Sequence, residues 1–210
     1  ANNRPFDFAG KHVRAENVDI RPKPLQDPHP PFYIGGISPA AVEVGTKHAD
    51  VYLFWSNTFD QIAADIATVR ETAEQHGRGD KLRLGLRSHV LVRESAEEAR
   101  AAVETLIAGA TESMRTNREN SLGAESHADA RMRKVASAAA DMDHWLTDTL
   151  WAGITTIRHG AGVTIVGSAD QVRDTIQGYV DLGITSFCLS GYPHDDEATR
   201  FGDLVMPAFR

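Results

Sequence analysis

Residues 81–98 read Lys81-Leu82-Arg83-Leu84-Gly85-Leu86-Arg87-Ser88-His89-Val90-Leu91-Val92-Arg93-Glu94-Ser95-Ala96-Glu97-Glu98. The run from Lys81 to Val92 predicts a long core strand. Ser95-Ala96-Glu97-Glu98 is a capping-box pattern that predicts a helix to about Ile107. Alternation puts Leu82, Leu84, Leu86, Ser88 and Val90 on one face and Arg83, Gly85, Arg87, His89 and Leu91 on the other. The first face is suited to packing on helices. The second carries two arginines and a histidine inside a sheet that should be covered on both sides, and a buried cation needs a counter-charge. Arg87 and His89 lie toward the carboxyl end, where ligands collect in parallel α/β folds. An anionic ligand is the reading favoured for that pair. An exposed Arg83, with Arg87 paired to a protein carboxylate, is the plainer alternative.

The same strand-then-helix order repeats on both sides. Pro31 to Ile34 predicts a short strand ending in Gly35-Gly36, followed by a helix from Pro39 to His48 with Ser38 as N-cap. Val51 to Trp55 predicts the next strand, and Thr58-Phe59-Asp60-Gln61 opens a helix to about His76, closed by Gly77. Ile184 to Leu189 is the fourth core strand, after a helix capped by Ser168 and running to about Asp181. Val163 to Val166 reads either as a strand or as the lead into that helix, and Glu197 to Met206 reads as a closing helix. Between Gly109 and Leu150 the pattern loosens, with one helix near Ala128 to Met142. Before Pro31 the chain has little periodicity. Pro22, Pro24, Pro28, Pro30 and Pro31 bar a helix and a central strand there. Strands alternating with helices imply βαβ units and a parallel sheet, for which a doubly wound domain of four or five strands is one architecture.

Composition sets outer limits. The chain has 210 residues, 41% hydrophobic and 24% charged, with a net charge of −7, which is ordinary for a globular protein and opposes a nucleic-acid surface. No apolar run nears the roughly 18 residues of a membrane span. Ala1-Asn2-Asn3-Arg4-Pro5 lacks the apolar core of a secretory signal, so the cytoplasm is the expected compartment. The one cysteine, Cys188, excludes an internal disulfide and reads as a small core residue. The histidines show no HxxxH or HxH spacing, and no metal is assigned.

The strand ends hold the remaining candidates. Gly35-Gly36-Ile37-Ser38 joins a strand to a helix N-terminus, which suits a phosphate, and equally suits a plain glycine turn before a capped helix. Tyr192 and His194 follow the fourth strand and can offer a phenol and an imidazole, although an aromatic plug in a turn is the better reading of those residues alone. Trp55 reads first as a packed lid. Arg158, with His159, Gly160 and Gly162, reads as a flexible basic loop whose arginine is solvated unless a ligand recruits it.

Taken in order, several blocks carry a resemblance. They are Gly10-Lys11-His12, Glu16-Asn17, Arg21-Pro22-Lys23-Pro24, Pro30-Pro31-Phe32-Tyr33-Ile34-Gly35-Gly36, Arg87 to Glu94, Leu150-Trp151-Ala152-Gly153 and Leu189 to His194. The chain resembles the bacterial luciferase-like flavin monooxygenases and, within them, the alkanesulfonate monooxygenases; residues 111–149 match least. The resemblance implies an α/β fold, the C-terminal half of a TIM (β/α)8 barrel spanning 1–210, with 111–149 as an insertion or mobile region. The four strands would be barrel strands five to eight, so a missing N-terminal half-barrel is expected as a partner, and self-association into a homo-oligomer is the other way to cover the open face. The resemblance also implies reduced FMN (FMNH2) from a separate flavin reductase, dioxygen, and an alkanesulfonate cleaved to sulfite and an aldehyde. It assigns the flavin phosphate to Gly36, Ile37 and Ser38, and active-site places to Arg87, His89, Trp55, Tyr192 and a loop arginine, Arg158. Ile37 and Pro39 stand where the family carries more polar residues. A flavin- or deazaflavin-dependent hydride-transfer enzyme and a silent flavin-binding half-barrel are the alternatives.

Overall fold

A computed structural model describes residues 4–120, 126–158, 160 and 162–209, and its contacts divide the chain into two units, Ala1–Phe32 and Tyr33–Arg210. The first unit holds an antiparallel hairpin of β1 (Phe6–Ala9) and β2 (Arg14–Val18), with Phe8 opposite Ala15. This pairing was not expected from the sequence. Every residue of β1 is exposed, so there is no inside-outside alternation to read, and the prolines from Pro22 to Pro31 all follow the hairpin.

The second unit begins with β3 (Tyr33–Gly35), α1 (Pro39–His48), β4 (Val51–Trp55), α2 (Phe59–Gln75), β5 (Arg83–Arg93) and α3 (Ala96–Ala108). It continues with α4 (Glu112–Asn120), α5 (His127–Ala138), β6 (Leu150–Trp151), β7 (Thr164–Ser168), α6 (Ala169–Asp181), β8 (Ser186–Ser190) and α7 (His194–Leu204). Side-chain caps start α1, α2, α3, α5 and α6. Ser38, Thr58, Ser95, Ser126 and Ser168 accept the N–H of Ala41, Gln61, Glu98, Asp129 and Gln171 respectively. Ser168, read from sequence simply as a cap, forms a reciprocal capping box with Gln171. At Thr58 the backbone N–H goes instead to Asn57 Oδ1 at 2.9 Å, and Gln61 turns to Asp65 at 3.0 Å. The helix α4 escaped the sequence reading because Glu112–Asn120 has no apolar stripe to betray it.

Strands β3, β4, β5 and β8 run parallel in chain order, with Gly35 beside Leu53, Leu53 beside Gly85 and Gly85 beside Ser186. Four such β/α units form half of a (β/α)8 barrel. The ambiguous 163–166 segment is a strand: β7 pairs with the carboxyl half of β5, and β6 is antiparallel to it. The changeover is a short relay in which Ser56 N–H donates to Arg87 O at 2.9 Å and Val163 N–H donates to Ser56 O at 3.2 Å. So β7 continues the flank that β4 leaves.

The two faces differ as the alternation requires. Leu84, Leu86 and Val90, with Tyr52 and Phe54, are buried with Ile62, Val69, Ala73, Val172 and Ile176 in one core. On the opposite face Gly35 and Tyr33 are exposed, and Leu53, Trp55 and Arg87 are half-buried. Cys188 is a correction to the core reading, because it stands exposed on this open face beside Arg87. A strand pattern says which residues share a face, but not which face is covered.

One buried charge locks the sheet to the last helix. Glu197 is 3% exposed and pairs with Arg93 at 2.8 Å and with Arg200 at 2.9 Å. Removing the carboxylate strands Arg93, so Glu197→Ala is expected to lose about 3–5 kcal/mol in urea unfolding. Arg200 is far more exposed, and Arg200→Ala should cost under about 1 kcal/mol.

Candidate active site

The carboxyl end of β5 fixes His89 from both sides, since the residue pairs with Thr164 of β7 and with Ser190 of β8. The residue is 3% exposed. Nδ1 lies 2.9 Å from Ser190 Oγ, and Nε2 lies 3.5 Å from Arg158 Nη1. A guanidinium only donates, so Nε2 must be the accepting nitrogen of a neutral imidazole, with the proton on Nδ1 directed at Ser190. Burial, then the charges of Arg158 and Arg87, and lastly that of His194, push the His89 pKa down to about 4; the bond to Ser190 pulls the other way.

Around this ring the other sequence candidates gather. Tyr192 packs at 5.3 Å between ring centroids, and the Arg158 guanidinium sits 5.1 Å from the Tyr192 ring in a cation-π contact. His194 packs against Tyr192 in turn, at 4.8 Å. Arg87 donates to Gly160 O, which ties Gly160 to the middle of β5. His159 and Ala161 of that loop lie outside the described residues. Burial and then Arg87 lower the Arg158 pKa, the mark of two cations held close. Among the described residues, neither Arg87 nor Arg158 forms an ion pair with a carboxylate. Two neighbouring guanidiniums without a carboxylate partner leave charge-assisted hydrogen-bonding capacity unspent.

The glycine turn builds a second, adjoining feature. A cavity of about 390 Å3 is lined by Gly35, Gly36, Ile37, Ser38 and Trp55 on one side and by Ser126, His127, Ala128, Arg131 and Met132 on the other. Tyr52 Oη donates to Gly36 O at 2.8 Å and anchors the turn. Gly36 has φ +150°, and a Cβ there would come within 2.6 Å of Ala41 Cβ. The starts of α1 and α5 both face this space, so their dipoles favour a negative group. Trp55 lines the cavity and is the register neighbour of Arg87. Arg131, whose guanidinium pairs with Asp65 at 2.5 Å, was missed by the sequence reading, as was Asp129. The Ser126-His127-Ala128-Asp129 cap pattern was a signal for the helix start, but no local signal placed it beside Gly36.

Four parallel β/α units with a cluster of cations and a buried histidine toward their carboxyl ends define this as a barrel-type α/β protein. The luciferase-like monooxygenase family model matches residues 1–186, and the chain belongs to that family. DmoA from Hyphomicrobium sulfonivorans is similar in structure, with 19% identity and a TM-score of 0.73 over 99% of this chain and 47% of its own. Riboflavin lyase (RcaE), solved with modified FMN and riboflavin, gives 15% identity and 0.73 over 98% and 48%. The long-chain alkane monooxygenase LadA gives 19% and 0.68 over 98% and 46%. The chain therefore spans about half the length of these proteins, and at such identities the likeness concerns the fold.

The His89 environment has a consequence for stability. Between about pH 4 and 6.5 the unfolded imidazole binds a proton that the folded one does not, so stability rises with pH across this window and is lost on acidification. The full loss is about 3 kcal/mol. Urea unfolding at pH 7 and pH 4.5 should show a larger drop for the wild type than for His89→Gln.

Proposed function

We propose that this chain is the C-terminal portion of a two-component, FMNH2-dependent monooxygenase that releases sulfite and an aldehyde from an alkanesulfonate. The observation that carries the reading is the pair Arg87 and Arg158, without a carboxylate partner among the described residues, beside the neutral His89. A sulfonate is a permanent anion whose oxygens match two guanidiniums through charge-assisted hydrogen bonds.

The residues fit a bound flavin mononucleotide. The Gly36-Ile37-Ser38 turn, with its close-packed glycine and two helix starts, would hold the phosphate, and Trp55 would flank the ring system at the cavity mouth. When bound in its reduced form, the flavin supplies the activation of dioxygen, and a separate reductase would supply that form.

The chain's own residues divide the remaining work. Arg87 and Arg158 orient the sulfonate head. His89, whose Nε2 faces Arg158 as an acceptor, can take or hold a proton near the reacting carbon once Arg158 turns to the sulfonate, because the imidazole stays neutral at working pH. Tyr192 Oη can donate to a substrate oxygen. Gly160, drawn down by Arg87, brings Arg158 over the site and helps keep water out. The N-terminal half of the barrel, or a second copy of the chain, would close the open sheet face, and the cytoplasm is the compartment where a soluble reductase partner would meet it.

The test is sulfite release coupled to oxygen uptake, with a flavin reductase, FMN and an alkanesulfonate, using this chain within its complete barrel. Arg158→Ala and Arg87→Ala should each lower the coupled rate at least about tenfold, the scale of one lost charged hydrogen bond. Unchanged sulfite release in Arg158→Ala would remove the loop from the mechanism. Substrate oxidation without oxygen uptake would point to hydride transfer instead.

A further inference from the structure

Within residues 111–149, which resemble the family least, helix α5 meets the site at Asp129 as well as along the glycine-turn cavity. Asp129 is the third residue of α5. Its Oδ2 accepts the Ser126 hydroxyl at 2.9 Å, and its Oδ1 accepts the Gly160 N–H at 3.0 Å. Gly160 in turn accepts the Arg87 guanidinium through its carbonyl, and it stands two residues after Arg158. Gly160 holds φ +68°, a conformation that favours glycine, with open space where a Cβ would stand. One residue is thus gripped at its N–H by Asp129 and at its C=O by Arg87.

We propose that Asp129 is a positioning residue for the two active-site guanidiniums, setting the place of Arg87 and Arg158 through Gly160. The N–H and C=O of Gly160 belong to different peptide units, so what passes between Asp129 and Arg87 is position and not polarisation. Hydrogen-bond acceptance at Oδ1 is then the property that matters, and the negative charge is secondary. The carboxylate is held for this task, since its other oxygen is fixed by the N-cap serine of the same helix. The proposal rests on the reading of Arg87 and Arg158 as an anion-holding pair.

The experiment compares Asp129→Ala with Asp129→Asn by following the His89 ring titration in ligand-free protein by NMR. The groups that bear on that ring are Arg158, Arg87, His194 and Ser190. Asp129→Ala should release the 158–160 segment, carry Arg158 away from Nε2, and move the His89 titration upward by about one pH unit. It should also weaken binding of inorganic sulfite about tenfold. Asp129→Asn keeps an acceptor at Oδ1 and should restore both readouts to within about twofold of wild type. A folded Asp129→Ala protein with wild-type His89 titration and sulfite affinity would overturn the proposal, as would an Asn variant that behaves like Ala. If Asp129→Ala does not fold, the Asn variant alone decides, because a shifted His89 titration in it refutes the positional account. The NMR readout needs neither flavin nor sulfonate, so a failed sulfite-release assay would sink the monooxygenase reading and leave this one standing.

Discussion

Three strands depend on the eleven residues of β5. Its first half carries β4, its middle carries β8, and its last five residues carry β7. A parallel strand normally has two neighbours; β5 has three because it outlasts β4 and offers the freed flank to β7. His89 sits at that changeover and is the one residue of β5 in register with both β7 and β8. Its backbone is therefore held on both edges, which is what allows a polar ring to be buried at a fixed angle. The rest of the site is arranged around that fixed ring.

Electrostatics follow from the same placement. Arg87 shares the His89 face of β5, two residues away, and Arg158 arrives from the loop before β7. Each cation raises the cost of protonating the imidazole, and Arg87 makes Arg158 more costly to keep charged. Such an arrangement is stable only because the site borders the open face and can share its charge with solvent or with an anion. A neutral histidine beside two cations and a tyrosine is a coherent chemical unit.

The connection after α3 has a larger part than its weak sequence pattern suggests. The helix α5 lines the glycine-turn cavity with its first turn and holds Gly160 with Asp129. Its Arg131 pairs with Asp65 of α2, which ties that helix to the barrel layer. The glycine turn, Trp55 and the cation pair therefore share one wall. No single block of sequence contains that wall.

The sequence by itself determined the β/α order, the faces of β5 and the starts of α1, α2, α3 and α6. These depend on period-two alternation and on polar caps, which are local properties written within a dozen residues. Ser38, Thr58, Ser95 and Ser168 were legible for that reason, and Arg87 and His89 stood out as polar residues in an apolar strand. The hairpin Phe6–Val18 and α4 were not legible, because neither buries a regular face. The solvent side of Cys188 and the approach of Asp129 to Gly160 were decided only in three dimensions. Each depends on which elements, distant in sequence, come to cover or touch a given face, and no local pattern encodes that.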